Sequence, residues 1–235
     1  MVPTLAISFP PLPFTVFFAV LIVIWLLASL RQRYRTAMLS GLASELKLRI
    51  FSRDPLSIPQ RYERLYLFKH GHARRARNVM IGHYRGRPIR AFDYLCESGL
   101  GLDRRTQRFS VVMAQADRDL PTLLVHPTES NMPLYNLSGV EEISLPNIEQ
   151  KYSYAVFCEQ PEFAGDNIDL EMVARLRQCN SAILELCEGM LAVYLPRRLK
   201  PAQYRQLMEV ASELAEHFTA NCSETATASS KQVRS

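Results

Sequence analysis

Phe14 to Leu30 is a near-unbroken apolar run, FTVFFAVLIVIWLLASL, and Arg31, Arg33 and Arg35 follow it at once. Seventeen uncharged residues rise about 25 Å as a helix, and the uncharged approach Leu12-Pro13 extends that reach toward the hydrocarbon thickness of a bilayer. The pattern predicts a transmembrane helix over 14–30. A cleaved signal peptide is the weaker reading, because residues 1–13 carry no Lys or Arg and secretory signals open with positive charge. Basic residues flank only the C-terminal side, so the positive-inside rule places residues 31–235 in the cytoplasm and the leader 1–13 outside the inner membrane, in a single-pass arrangement.

Behind the anchor the periodicity changes twice. Leu39, Leu42, Ala43, Leu46 and Ile50 fall at helical spacing, which predicts a juxtamembrane helix within 31–51 that either lies on the membrane or docks on the domain, docking being favoured because Glu45 beside Lys47 mixes the charge of its polar face. Ser52 to Gln60, with Pro55 and Pro59, reads as a linker at 52–60. From Asn78 the texture is β. Val79–Arg85 and Pro88–Cys96 form a hairpin around Gly86, Gln107–Gln115 follows the Gly99-Leu100-Gly101 turn, and Leu123–His126 and Tyr152–Cys158 are further strands. Alternation of Tyr152, Tyr154 and Val156 with Ser153 and Ala155 predicts one buried face. Asp169 caps a helix ending near Cys179, with Asn180 as its left-handed stop, and Glu188-Gly189 turns a second hairpin.

The closing helix opens at Pro201 and sets Tyr204, Leu207, Met208, Ala211, Leu214, Ala215 and Phe218 on one stripe. These elements define an α+β protein: an anchor, a mainly antiparallel sheet domain over 61–218, and a C-terminal amphipathic helix across the sheet. The Ser/Thr/Ala-rich stretch 219–235 is expected to be disordered.

Charge sharpens the picture. Residues 31–90 carry a net charge of +12 and the rest of the chain −7, so the membrane-proximal third is strongly basic. Five cysteines without a Cys-x-x-Cys spacing suit buried thiols better than a disulfide frame.

The stretch ARNVMIGHYRGRPIRAFDY (Ala76–Tyr94), then Gly99, Gly101, Arg105-Thr106, FSVV (Phe109–Val112), Leu120-Pro121 and Val125-His126-Pro127, resembles a family of uncharacterised bacterial single-pass membrane proteins. Glu142-Ile143-Ser144 with Lys151-Tyr152 is similar to that family's next block. The resemblance implies a membrane-tethered α+β domain and assigns no functional residue.

Candidate chemistry is sparse. His70-Gly71-His72 could place two imidazoles near a metal, but Lys69, Arg74, Arg75 and Arg77 surround it and repel a divalent cation. Gly99-Leu100-Gly101 mimics the start of a nucleotide fingerprint, yet it joins two strands and opens no helix. Asp93, between Phe92 and Tyr94, reads as a strand carboxylate satisfied by a nearby arginine. No nucleophile sits in a recognisable elbow. No catalytic residue, cofactor or metal is assigned. The basic cluster Lys69, Arg74, Arg75, Arg77, Arg85, Arg87 and Arg90 has no acid between Glu63 and Asp93, and it is either the candidate surface for an anionic partner or a solvated face that reflects only the positive-inside bias. Anionic lipid is favoured, because the stacking aromatics that nucleic acid needs are few. The sequence therefore reads as a membrane-anchored interaction module with lipid and an unidentified protein as partners. A tethered enzyme or a nucleotide- or RNA-binding module is the alternative.

Overall fold

The computed structural model describes residues 12–116, 120–130 and 139–232. The apolar run belongs to one uninterrupted helix, α1 (Leu12–Glu45), of 34 residues. It is long and apolar enough to cross a bilayer, and no part of its most apolar window is buried by the rest of the chain. The expected juxtamembrane helix is thus the last part of the same rod, with Leu39, Leu42 and Ala43 buried. It stops at Glu45 instead of 51. Lys47 takes a left-handed conformation (φ 56°), and Ile50, though it fits the helical spacing, belongs to a strand, β1 (Arg49–Arg53).

The remaining strands are β2 (His72–Tyr84), β3 (Arg87–Ser98), β4 (Arg105–Gln115), β5 (Leu123–Pro127), β6 (Glu141–Ile143), β7 (Tyr154–Cys158), β8 (Ile183–Cys187) and β9 (Met190–Leu195). They form one sheet in the order β1-β2-β3-β4-β9-β8-β5-β7-β6, with every neighbouring pair antiparallel. The helices α2 (Ile58–Arg61), α3 (Tyr66–Lys69), α4 (Pro146–Tyr152), α5 (Pro161–Asn167), α6 (Leu170–Gln178) and α7 (Pro201–Gln232) cover it. The fold is α+β, as the sequence predicts.

Both faces of the sheet are buried. One packs Val112, Val156, Leu184 and Val193 under α6, α7 and the end of α1, through Leu176, Leu207, Leu214 and Leu42. The other packs Phe92, Tyr94, Phe109 and Tyr194 under Leu65, Leu67 and Phe68 of the α2–α3 segment. Phe68 stacks on Phe92 (6.4 Å between ring centres) and meets Tyr94 edge-on at 5.0 Å. Two-sided cover corrects the expectation for β7. All five of its residues are buried, because helices lie on one side and the α3 layer and its neighbours on the other.

Local chemistry sets several boundaries. Asp169 accepts the Met172 amide at 2.7 Å and caps α6, and Asn180 stops it at φ 63°, as expected. Glu188 and Gly189 both take positive φ in the β8–β9 turn, the mirror-image turn that a two-residue hairpin needs. The helix opened by Pro201 does not end at Phe218. It continues to Gln232, so the stretch expected to be disordered is helical over 219–232, and residues 1–11 and 233–235 lie outside the described residues.

Candidate functional site: the root of the anchor

Where α1 enters the domain, a polar cluster replaces the apolar core. Arg35 grips Asp93 of β3 with both ends of its guanidinium, Nε to Oδ2 at 3.1 Å and Nη2 to Oδ1 at 2.8 Å. Its Nη1 donates to the Leu199 carbonyl. Asn78 Nδ2 donates to Asp93 Oδ2 at 2.8 Å, and the Thr36 hydroxyl donates to Asn78 Oδ1 at 2.8 Å. The buried Tyr204 hydroxyl of α7 sits 3.0 Å from Asp93 Oδ1 and 2.7 Å from the Phe92 carbonyl.

Backbone geometry makes this cluster. A register shift between Arg77 and Met80 marks a bulge in β2, and Asn78 within it takes φ 51°. The bulge turns Asn78 onto the face that α1 covers. Burial lowers the Arg35 pKa, but its bonds and charge contact with Asp93 outweigh that and hold the guanidinium above its usual value. Asp93 is 3% exposed and Arg35 12%. A charge pair so desolvated is kept only when every donor and acceptor is met. Anchor, sheet and α7 are thereby joined through one carboxylate.

Beside this joint lies an open groove of about 1010 Å³, bounded by Gln32, Arg33 and Thr36 of α1, by Arg53 of β1, and by Arg74, Arg75 and Arg77 of β2. Five arginines line it against one acid, Asp54. That carboxylate is engaged with the backbone, accepting the amides of Leu56 (2.9 Å) and Ile58 (2.6 Å) at the start of α2. Arg74 donates to the carbonyls of Gly71 (3.1 Å) and Lys69 (3.0 Å), which fixes its guanidinium over the entry to β2. None of the five arginines is ion-paired among the described residues.

The seven basic residues singled out by sequence do not form one surface. Arg74, Arg75 and Arg77 share the groove. Arg85, at the far end of β2, pairs with Glu209 and with Glu213 of α7, the latter at 2.9 Å. Arg87 reaches toward Thr219 (3.5 Å), Arg90 lies over the Tyr62 ring at 5.7 Å, and Lys69 borders a separate hollow with Arg64, Glu159 and Glu188. Arg33 and Arg53 complete the groove, and sequence order gave no sign of it.

The other candidate groups resolve individually. His70 meets Tyr66 edge-on at 4.3 Å, and burial, with Arg74 and Lys69 nearby, lowers its pKa. His72 faces Glu97 at 3.7 Å. The two imidazoles thus serve different contacts, and no group of three metal-ligating side chains occurs among the described residues. Gly99 and Gly101 both take positive φ in the β3–β4 connection. Cys96, Cys158, Cys179 and Cys187 are free and buried, with raised thiol pKa values caused first by burial.

Glu185 of β8 is the buried carboxyl that sequence reading passed over. It accepts the amides of Tyr66 and of Leu67 (3.2 Å) and so docks α3 on the sheet. Burial pushes its pKa up to about 7 against those donors.

No family model matches the chain, and no curated protein resembles it at a significant level. Among solved structures, the crystal structure of the mycobacterial trehalose monomycolate transport factor A, TtfA, superposes with a TM-score of 0.59 at 12% identity. The alignment covers 77% of this chain and 93% of that one, so the two share a fold across nearly the whole of the transport factor's structure.

Proposed function

We propose that the chain is a single-pass inner-membrane protein whose cytoplasmic domain is an interaction module, held against the inner leaflet by the anchor and oriented there by the arginine groove on anionic lipid. The observation that carries this reading is the joint at Arg35. A span without a break runs into a domain locked to it by a buried ion pair, so the groove of Arg33, Arg53, Arg74, Arg75 and Arg77 lies beside the root of the span. Unpaired arginines near an anionic leaflet gain on the order of 1 kcal/mol each, decaying within a Debye length. The fold shared with a transport factor supports a non-enzymatic module.

The test uses residues 31–235, since the apolar window removed contributes no packing to the domain. The fragment is expected to sediment with vesicles containing phosphatidylglycerol, to release as salt rises, and to ignore neutral vesicles. Charge reversal at Arg74, Arg75 and Arg77 together abolishes the binding. Equal sedimentation with neutral vesicles rejects the orientation by lipid. A reporter fused after Ser235 tests topology separately, and activity outside the cytoplasm overturns it.

A further inference from the structure

A second arginine-lined hollow lies on the other side of the joint, and it differs from the groove in shape. Strand β8 begins at Ile183, opposite Tyr194 of β9, while β9 continues to Leu195 and β5 continues past Val125 to Pro127. The short central strand leaves a notch of about 490 Å³ between two overhanging walls. Asn180 and Ser181 form its floor, both left-handed at φ 63° and 58°. Gln107 and Arg108 of β4 and Arg197 after β9 make one wall, and Pro127, Glu129 and Ser153 make the other.

Three guanidinium groups, of Arg108, Arg177 and Arg197, border this notch against the single carboxylate of Glu129. Arg177 has a structural duty, donating to the Tyr152 carbonyl at 2.9 Å. Arg108 and Arg197 have no ion-pair partner among the described residues, and Glu129 pairs with none of the three. The neighbouring Arg198 has its pKa lowered, first by burial, with Asp93 opposing and Arg108, Arg35 and Arg31 adding to the fall. Positive charge is therefore concentrated between the notch and the root of the anchor, where the compensating carboxylate, Asp93, is already bonded to Arg35. Hydroxyls of Ser153 and Ser181, with the amides of Gln107 and Asn180, add neutral hydrogen-bonding groups around the same space.

We infer that this notch binds a phosphate ester of a small polyol, with Arg108 and Arg197 on the phosphate and the Ser and amide groups on the hydroxyls. Guanidinium forks match phosphate oxygens in geometry and charge. The volume exceeds that of a bare phosphate and suits a headgroup-sized ligand. Such a group is presented either by a membrane lipid or by a free phosphorylated metabolite. This site does not depend on the groove's contact with lipid.

The experiment titrates the full-length chain in neutral detergent with glycerol 3-phosphate by calorimetry, and in neutral nanodiscs with and without phosphatidylglycerol by chemical-shift change at labelled arginine side chains. Saturable binding of glycerol 3-phosphate, weakened at least tenfold by Arg108→Gln with Arg197→Gln, supports the site and a free ligand. Shifts confined to the phosphatidylglycerol discs, and lost in the same double variant, support the site and a lipid headgroup. Charge reversal at Arg74, Arg75 and Arg77 leaves the binding of glycerol 3-phosphate in neutral detergent in place, which separates this site from the groove. Binding of neither probe, or binding that survives the double variant, overturns the assignment.

Discussion

The two ends of strand β2 treat arginine in opposite ways. At the turn end, Arg85 sits between Glu209 and Glu213, and Glu213 is shared at 2.6 Å with Arg175, which also holds Glu171 at 2.7 Å. At the anchor end, Arg74, Arg75 and Arg77 face Arg33 and Arg53 with only Asp54 among them. The same residue type thus neutralises acids on α7 in one place and accumulates charge in the other. Arginines with carboxylate partners are accounted for by the fold. Those gathered in the groove have no ion-pair partner among the described residues.

Arg35 belongs to neither class, and removing its partner is the most severe test of the contrast. Asp93→Ala leaves a desolvated guanidinium, and such a broken buried pair costs roughly 3–5 kcal/mol, to be read from urea unfolding of residues 31–235. A loss under about 1 kcal/mol would place Arg35 with the solvated cations.

Glu185 supplies the converse, a buried carboxyl held by amides and without an ion-pair partner among the described residues. Because its folded pKa is raised to about 7 from an ordinary 4.5, the folded domain keeps a proton that the unfolded chain releases. Its stabilising contribution is present below about pH 4.5 and is lost as pH climbs through about 7, roughly 3 kcal/mol in all. His126 acts in the opposite sense. Burial lowers its pKa to about 4, so the domain loses stability as pH falls from about 6.5 toward 4, by a similar amount. The two slopes oppose each other. The destabilisation by Glu185→Gln, measured as the shift in unfolding free energy against the parent, is expected to be larger at pH 5 than at pH 8. A pH-independent difference would show that Glu185 titrates normally.

Smaller effects separate the two ends of β2 directly. Arg85→Gln is expected to change stability little, because exposed pairs are screened by solvent, with vesicle binding retained. Arg75→Gln is expected to change stability by less than about 0.5 kcal/mol and to weaken vesicle binding measurably. If Arg85→Gln weakens sedimentation as much as Arg75→Gln, the groove has no special part in it.

Much of the fold was legible because it rests on local signals. The anchor, the hairpins at Gly86 and Gly189, the Asp169 cap and the Pro201 start each depend on a few adjacent residues. Strand β1 was hidden because Ile50 satisfies a helical spacing, and only the left-handed Lys47 breaks the helix before it. The short α3 and β6 are fixed by tertiary contacts, the former by Glu185 more than a hundred residues away. The basic cluster misled for a geometric reason. A strand of 13 residues is about 40 Å long, so Arg74 and Arg85, close in sequence, stand at opposite ends of the domain. In sequence Arg35 carries only a topology signal, because its bond to Asp93 spans 58 positions.

The unbroken α1 has a mechanical consequence. Its 34 residues measure about 51 Å, of which the final third is bolted to the sheet through Arg35, Leu39 and Leu42. A span too long or too short for its bilayer answers by tilting, and a stiff rod carries that tilt outward as a lever. In the proposed single-pass arrangement, a local thickening of the membrane swings the domain as one body and changes which of its loops meet the leaflet, so that lipid thickness becomes an input to what the domain can reach.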